Sequence, residues 1–266
     1  MPNITGNVNR TGGHRTAGPA SGRVRHGARQ VFIQRNPHKG HSPTQRLDMR
    51  TNTRIGTWNI RSLNATGAVQ LLCDELESGH IEIMGLQEIR WHGAGEMVVG
   101  NRHLLWSGPP EGQPRQGGVG LILTRYAANA LSSWHPVNDR ILVARFRHRF
   151  GVLSVVVVYA PTNEASPTDK DEFYQTPESA MLLNKTTDLV ICLGDFNAVT
   201  GFRCTTSSPV GPFWSGSPND NSDRLVSFCK GAQLRIAGSW FRRKDIHRYT
   251  WFSNDGRTCK EIDHTS

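Results

Sequence analysis

At 266 residues, with 36% hydrophobic and 20% charged residues, 27 Gly and 14 Pro, the chain can bury a sizeable core and is not a coiled coil, a collagen-like repeat or a wholly disordered polymer. Its apolar runs, Val152 to Val158 and Leu189 to Leu193, fall far short of the roughly 20 residues that cross a bilayer, so no membrane helix is expected. The formal net charge of +9 is unevenly placed: residues 1–50 hold nine Lys or Arg against the single acid Asp48, a net +8, which leaves +1 for the rest.

The basicity therefore belongs to a leader. Residues 1–52 are expected to be a disordered, Gly- and Arg-rich arm, with phosphate contact to nucleic acid as its sharper role. The Gly residues at 12, 13, 18, 22 and 27 work against the amphipathic helix of a transit peptide. Residues 53–266 are expected to form one domain in which short β-rich runs alternate with helical stretches. Arg54 to Asn59 predicts a strand, Ala65 to Ser78 a helix with Val69, Leu72 and Leu76 on one face, and Ile81 to Gln87 a second strand. Gly117-Gly118 opens a strand at Val119 to Leu123, and Arg140 to Arg147 with Val152 to Tyr159 reads as a pair across a turn. Asp171 to Leu183 predicts a helix that Pro177 should end or kink, unless it sits in the first turn. Leu189 to Gly194 reads as a buried strand and Ser222 to Gly231 as a helix with a Ser or Asn cap. Tyr249 to Ser253 with Thr258 to Asp263 reads as a hairpin over Asn254-Asp255-Gly256.

What stands at the strand ends is the most informative regularity. Asn59 follows the first strand, Glu88 the second, Tyr159 closes the Val-rich run, and Asp195 with Asn197 follows Leu189 to Gly194. Taken singly, each polar residue is what a turn commonly begins with. Together they fit layered α/β proteins, whose strand ends converge on a cleft. Glu88 and Asp195 then supply two hard carboxylates, one suited to Mg²⁺ and the other to orienting or deprotonating a water. Asn59 and Asn197 supply hydrogen bonds to a phosphate or the attacking water, and the Tyr159 hydroxyl a donor to transition-state charge.

Trp58-Asn59, Gln87-Glu88, Tyr159-Ala160-Pro161, Gly194-Asp195-Phe196-Asn197, Tyr249-Thr250-Trp251 and Ile262-Asp263 occur in the order of the endonuclease/exonuclease/phosphatase superfamily, which residues 54–263 resemble. Within it, Trp58 through Leu63, Asn138-Asp139-Arg140, Asp223-Arg224-Leu225 and Phe228-Cys229 most resemble non-LTR retrotransposon endonuclease domains and the craniofacial development protein 2 group. The resemblance implies an α/β (α+β) four-layer sandwich, two packed mixed β-sheets flanked by helices, with a Mg²⁺ site (Mn²⁺ as substitute) at one end and DNA as the partner. It implies Glu88 and Asp195 at the metal, Asp195 also activating water, and Asn59, Tyr159, Asn197 and Asp263 as the other catalytic groups.

Two departures stand out. Repair members of the superfamily carry an acid two residues after the first Asn, where this chain has Arg61. The family pattern also closes on a Ser-Asp-His motif, which lies beyond Ser266, so a final strand and its His are expected to be missing and one sheet edge open. His264 follows Asp263 directly, and neighbours on a strand face opposite ways, so it is expected in the core rather than the cleft. A DNA-nicking hydrolase is thus one reading. A silent nucleic-acid- or protein-binding remnant and a phosphatase for small phosphorylated substrates are the alternatives. Trp58, Trp91, Trp106 and Trp251 are expected to pack in the core, and Arg242, Arg243 and Lys244 to be a solvated face. Five cysteines without a C-x-x-C pair and no apolar signal segment fit reduced thiols in nucleus or cytoplasm.

Overall fold

The computed structural model describes residues 46–48, 53–182, 188–201, 208–253, 255 and 257–266. The tip residues Asn254 and Gly256 of the expected hairpin, Cys204, and the expected leader apart from residues 46–48 lie outside the described residues. The strands are β1 (Ile55–Asn59), β2 (Ile83–Gln87), β3 (Ala94–Val99), β4 (Arg102–Ser107), β5 (Val119–Thr124), β6 (Leu131–Asn138), β7 (Ile141–His148), β8 (Gly151–Tyr159), β9 (Leu189–Asp195), β10 (Trp251–Phe252), β11 (Cys259–Lys260) and β12 (Asp263–Thr265). The helices are α1 (Ala68–Ser78), α2 (Arg125–Ala130), α3 (Pro167–Leu182) and α4 (Asp220–Gly231).

One five-stranded sheet runs β1-β2-β5-β4-β3, the other β12-β9-β8-β7-β6, and β10 pairs with β11. Both large sheets are mixed, since β1–β2 and β8–β9 are parallel and the other pairs antiparallel. The two-residue period of a strand sorts side chains into layers. Val155 and Val157 of β8 point between the sheets with Leu105, Leu121, Leu123 and Leu193, whereas Val156 and Val158 point outward onto Phe173 and Tyr174 of α3 and Leu225 and Phe228 of α4. On the far side, Leu72, Cys73 and Leu76 of α1 cover Met84, Leu86, Leu104 and Ile122. Three buried clusters thus separate four layers: α1, the first sheet, the second sheet, and α3 with α4.

Several elements differ from the sequence reading. α1 begins at Ala68 because Gly67, at φ 81, completes a turn before the helix. α3 begins at Pro167, with Ser166 Oγ accepting from the Asp169 N–H, and runs through Pro177 instead of ending there. Burial of Phe173 and Tyr174 one turn earlier, against the α4 side of the core, holds that segment despite the missing N–H. β3, β4, β6 and α2 were not foreseen. Leu47, inside the segment read as a leader, is fully buried in the inter-sheet core and donates its N–H to Arg147 O at 2.8 Å. Trp106 is buried as expected and Trp91 packs edge to face on it at 5.3 Å, while Trp91 and Trp251 are half-buried instead of fully in the core. Trp58 is 42% exposed, contrary to expectation, because its strand β1 is an edge of its sheet. Cys73, Cys192 and Cys229 are buried free thiols. No helix among the described residues is long and apolar enough to cross a membrane.

One close approach sets the site's position. Gly194 pairs with Val158 at φ 156, and a Cβ there would lie 1.9 Å from Val158 O. Gly194→Ala is therefore expected to cost about 3 kcal/mol or more of stability, read as a fall in the urea unfolding midpoint. A midpoint unchanged from wild type would show that β8 and β9 are not locked together at this point.

Candidate active site

The parallel pairings bring the predicted residues together. β1 and β2 end side by side, with Asn59 opposite Gln87, and β8 and β9 likewise, with Tyr159 opposite Asp195. The antiparallel β12 then lays Asp263 opposite Asp195. Asn59, Glu88, Tyr159, Asp195, Asn197 and Asp263 consequently share one end of the sandwich.

The Asn59 amide is the hinge of the cluster. Its Nδ2 donates to Glu88 Oε1 and to Asp195 Oδ2, both at 3.0 Å, so the two carboxylates lie on either side of a single nitrogen. The Tyr159 hydroxyl donates to Glu88 Oε1 at 3.2 Å and Arg90 Nη2 to Glu88 Oε2 at 2.7 Å. Asp195 Oδ1 accepts the Asn197 N–H at 2.9 Å. Asn197 in turn donates its side-chain N–H to Ala160 O at 3.0 Å, which leaves its Oδ1 as the acceptor that can face a water.

The two carboxylates are unequal. Glu88 keeps 17% of its side-chain surface exposed. Burial raises its pKa, but hydrogen bonds from Asn59, Arg90 and Tyr159 and the charge of Arg90 outweigh it, so the carboxyl is held below its usual range. Asp195 is only 3% exposed, and burial pushes it up to about 6 against the Asn59 and Asn197 hydrogen bonds, with the Glu88 charge adding to the rise. Burial, then the Asp195 charge, pushes Asp263 up to about 7, opposed by Thr250. Burial and the charges of Glu88 and Asp195 also raise the Tyr159 hydroxyl, which stays a protonated donor at neutral pH. Neighbouring carboxylates driven in opposite directions are chemically able to act as a permanent anion and a base.

Backbone strain gathers here as well. Arg61, Ser62, Glu88, Arg90 and Asn197, none of them glycine, all adopt positive φ (54, 133, 56, 61 and 49°). Such residues persist where surrounding bonds over-determine them. Around Glu88 and Arg90 those bonds come from Gly117 and Gly118, both left-handed, whose carbonyls accept the N–H groups of Arg90 and Ile89. Behind Asn197, Asn219 and Asn221 donate to its carbonyl at 2.8 and 3.2 Å, and Asn221 also donates to Pro161 O at 2.9 Å. Asn219 is simultaneously the N-cap of α4, accepting the Ser222 N–H. These two asparagines were missed in the sequence, where Asn219-x-Asn221 ahead of a helix was their only signal.

His264 lies on the other face from Asp263: it is buried, its Nε2 2.8 Å from Ala198 O and its ring against Phe196. Arginines rim the site. Arg61 donates its backbone N–H to Asn59 Oδ1, Arg90 meets Glu88, and Arg140 lies over the Tyr159 ring at 5.2 Å. Arg242, Arg243 and Lys244 are exposed, as expected of a solvated face. Among the described residues no group of three or more His, Cys, Asp or Glu side chains forms a metal cage. The donors at the site are oxygens, and Asp263 Oδ1 is buried without a hydrogen-bond partner beside Asp195. That set fits a hard dication such as Mg²⁺, which takes one or two protein carboxylates and keeps its other positions for water and substrate.

The profile of the Endonuclease/Exonuclease/phosphatase family matches residues 56–264. Craniofacial development protein 2 of Bos taurus is 32% identical over 210 residues, which are 79% of this chain and 35% of that protein, so the chain spans about a third of the length of this curated relative. Among solved structures, the endonuclease domain of TRAS1, a telomere-specific non-LTR retrotransposon, superposes with a TM-score of 0.54 at 15% identity, covering 80% of this chain and 84% of that one. The Xenopus laevis APE2 catalytic domain gives 0.55 at 18% identity, covering 79% and 80%. At these identities the two structures establish the fold alone, a four-layer sandwich.

Proposed function

The chain belongs to the endonuclease/exonuclease/phosphatase family, and from that premise we propose that it is a Mg²⁺-dependent phosphodiesterase that nicks DNA in the manner of a retrotransposon endonuclease. The observation that carries this reading is the Asn59 amide bonded at once to Glu88 and Asp195, which holds a permanent carboxylate and a more basic one at one cleft end. The arginines around it suit a polyanionic substrate.

Glu88, with Asp195 beside it, would hold the metal, Mg²⁺ or Mn²⁺, which when bound would supply positive charge to the phosphate oxygens and acidify water. Asp195 takes the proton from the attacking water as the water oxygen bonds to phosphorus, the P–O3′ bond breaks and the leaving 3′-oxygen is protonated by solvent; burial makes Asp195 the stronger base of the pair. Asn197 Oδ1 accepts the second hydrogen of that water and fixes its direction. The Tyr159 hydroxyl donates to a non-bridging phosphate oxygen as negative charge grows there. Asn59 keeps the two carboxylates in register, and Asp263, opposite Asp195 on β12, flanks the base and is itself raised by the Asp195 charge.

Supercoiled plasmid incubated with the chain and Mg²⁺ is expected to convert to open circles. EDTA should abolish the conversion, and Glu88→Gln should slow it by about 10³-fold. Conversion that ignores EDTA, or no conversion by wild type, would overturn the proposal; release of phosphate from small phosphorylated compounds without nicking would assign the site to a phosphatase.

A further inference from the structure

We propose that Arg90 is a resident counter-cation of Glu88 that a divalent cation must displace, so that this one side chain sets the metal concentration at which the site loads. The inference rests on the assignment of Glu88 as a metal ligand.

The geometry begins in the backbone. Glu88 and Arg90 both hold positive φ, and Ile89 between them is buried and pinned, its N–H on Gly118 O and its carbonyl accepting from Leu63. This turn leaves the side chains of Glu88 and Arg90 in contact, Nη2 to Oε2 at 2.7 Å. Glu88 Oε1 already accepts from Asn59 and Tyr159, so Oε2 is the carboxylate oxygen with capacity to spare, and the guanidinium sits on it. Arg90 thus does for the metal-free carboxylate what a dication would do: it supplies positive charge against Glu88 and keeps it ionised.

A guanidinium and a dication on one carboxylate repel, and at separations of a few ångströms this repulsion weakens the metal even near a protein surface. Arg90 can yield, because its side chain is 44% exposed and can turn into water without leaving a buried charge behind. The pair helps the fold by holding Glu88 ionised, but only modestly, because the guanidinium is well exposed to water. One consequence separates the proposal from a purely structural role: removal of the guanidinium tightens metal binding, where loss of a structural pair would leave it unchanged or weaken it.

The test titrates the metal-free full chain with MnCl₂, following free Mn²⁺ by electron paramagnetic resonance, and with MgCl₂ by calorimetry. Arg90→Gln is expected to tighten binding by about tenfold, and Arg90→Lys, which keeps the charge, to stay within about threefold of wild type. The unfolding midpoint of metal-free Arg90→Gln should fall below wild type, because Glu88 loses a counter-charge, so tighter metal binding by this variant cannot come from a more stable fold. Glu88→Gln should lose the site. Unchanged or weaker binding by Arg90→Gln, with Glu88→Gln still abolishing it, would overturn the counter-cation role and leave the metal assignment standing. Binding that survives Glu88→Gln would overturn the metal assignment and this inference with it.

Discussion

Replacing Asp195 by Asn is expected to lower the rate of Mg²⁺-dependent plasmid nicking by about 10³-fold with substrate affinity little changed. The amide preserves the size of a side chain that is only 3% exposed, so no cavity is created. Its Oδ1 can still accept the Asn197 N–H. What disappears is the lone pair that receives the proton. The new NH₂ group would meet Asn59 Nδ2, donor against donor, and Asn59 cannot turn its Oδ1 inward without setting it against Glu88 Oε1; the lost bond is offset by removal of a buried carboxylate whose charge the fold disfavours. The loss should therefore fall on turnover and not on folding: single-turnover rates drop, while the unfolding midpoint at neutral pH holds or rises. A residual rate within tenfold of wild type would move the base from Asp195 to another group.

How much of this could be read in the sequence depended on what each segment packs against. β2, β5, β7, β8 and β9 were legible because Ile-, Leu- and Val-rich segments mark strands buried on both faces. β3 and β4 were not. Gly93, Gly95 and Gly100 interrupt that region, and Arg102, fully buried through bonds to Ile81 O and Glu77, reads as a surface residue in sequence. β6 carries Ser132, Ser133 and Pro136 and pairs with β7 through two register shifts, features tolerated at an edge and invisible to a period of two. Leu47, with Arg46 and Asp48 as its neighbours, offers no periodicity, and only the tertiary cavity it fills explains it.

At the site, the residue types at the strand ends were legible and the contacts between them were not. A polar group after an apolar strand is a local pattern, and Asn59, Glu88, Tyr159 and Asp195 each follow it. That Asn59 bridges Glu88 and Asp195 depends on two parallel pairings in different sheets, which no local pattern encodes. The same holds for Arg90. The spacing Glu88-x-Arg90 is ordinary, and only the left-handed turn around Ile89 turns it into an ion pair at the mouth of the site. The position of His264 was derivable, because once Asp263 faces the cleft, alternation sends its neighbour to the core.

The facing pair Asp195 and Asp263 gives the metal-free protein a distinctive pH response. Both carboxyls are raised in the folded state, to about 6 and about 7 from an ordinary value of 3.8, by burial above all, with the Glu88 charge adding at Asp195 and the Asp195 charge adding at Asp263. Their protonated forms are thus the ones the fold prefers. The stabilisation they contribute is complete below about pH 4 and is lost as pH rises through about 6 to 7, where two charges come to face each other across β9 and β12. His264, next in the chain, acts in the reverse sense: burial lowers its pKa, so the fold loses stability as pH falls through its ordinary value of 6.5. Asn59, Asn197 and Thr250, which also touch the pair, do not titrate, and Glu88, held low, changes charge only in acid. Asp263→Asn separates these effects, since it removes one carboxyl and leaves His264 in place. In EDTA the variant should be more stable than wild type at pH 8, on the order of 2–4 kcal/mol, and within about 1 kcal/mol of it at pH 4.5. The Thr250 hydroxyl accepts the backbone N–H of residue 263, a bond the variant keeps. Added Mg²⁺ at pH 8 should narrow the gap, because positive charge at Asp195 relieves the repulsion that the substitution removes. Urea midpoints measured from pH 4.5 to 8 decide the matter: a difference between the two proteins that stays constant over that range would mean that the two carboxyls do not titrate as a facing pair.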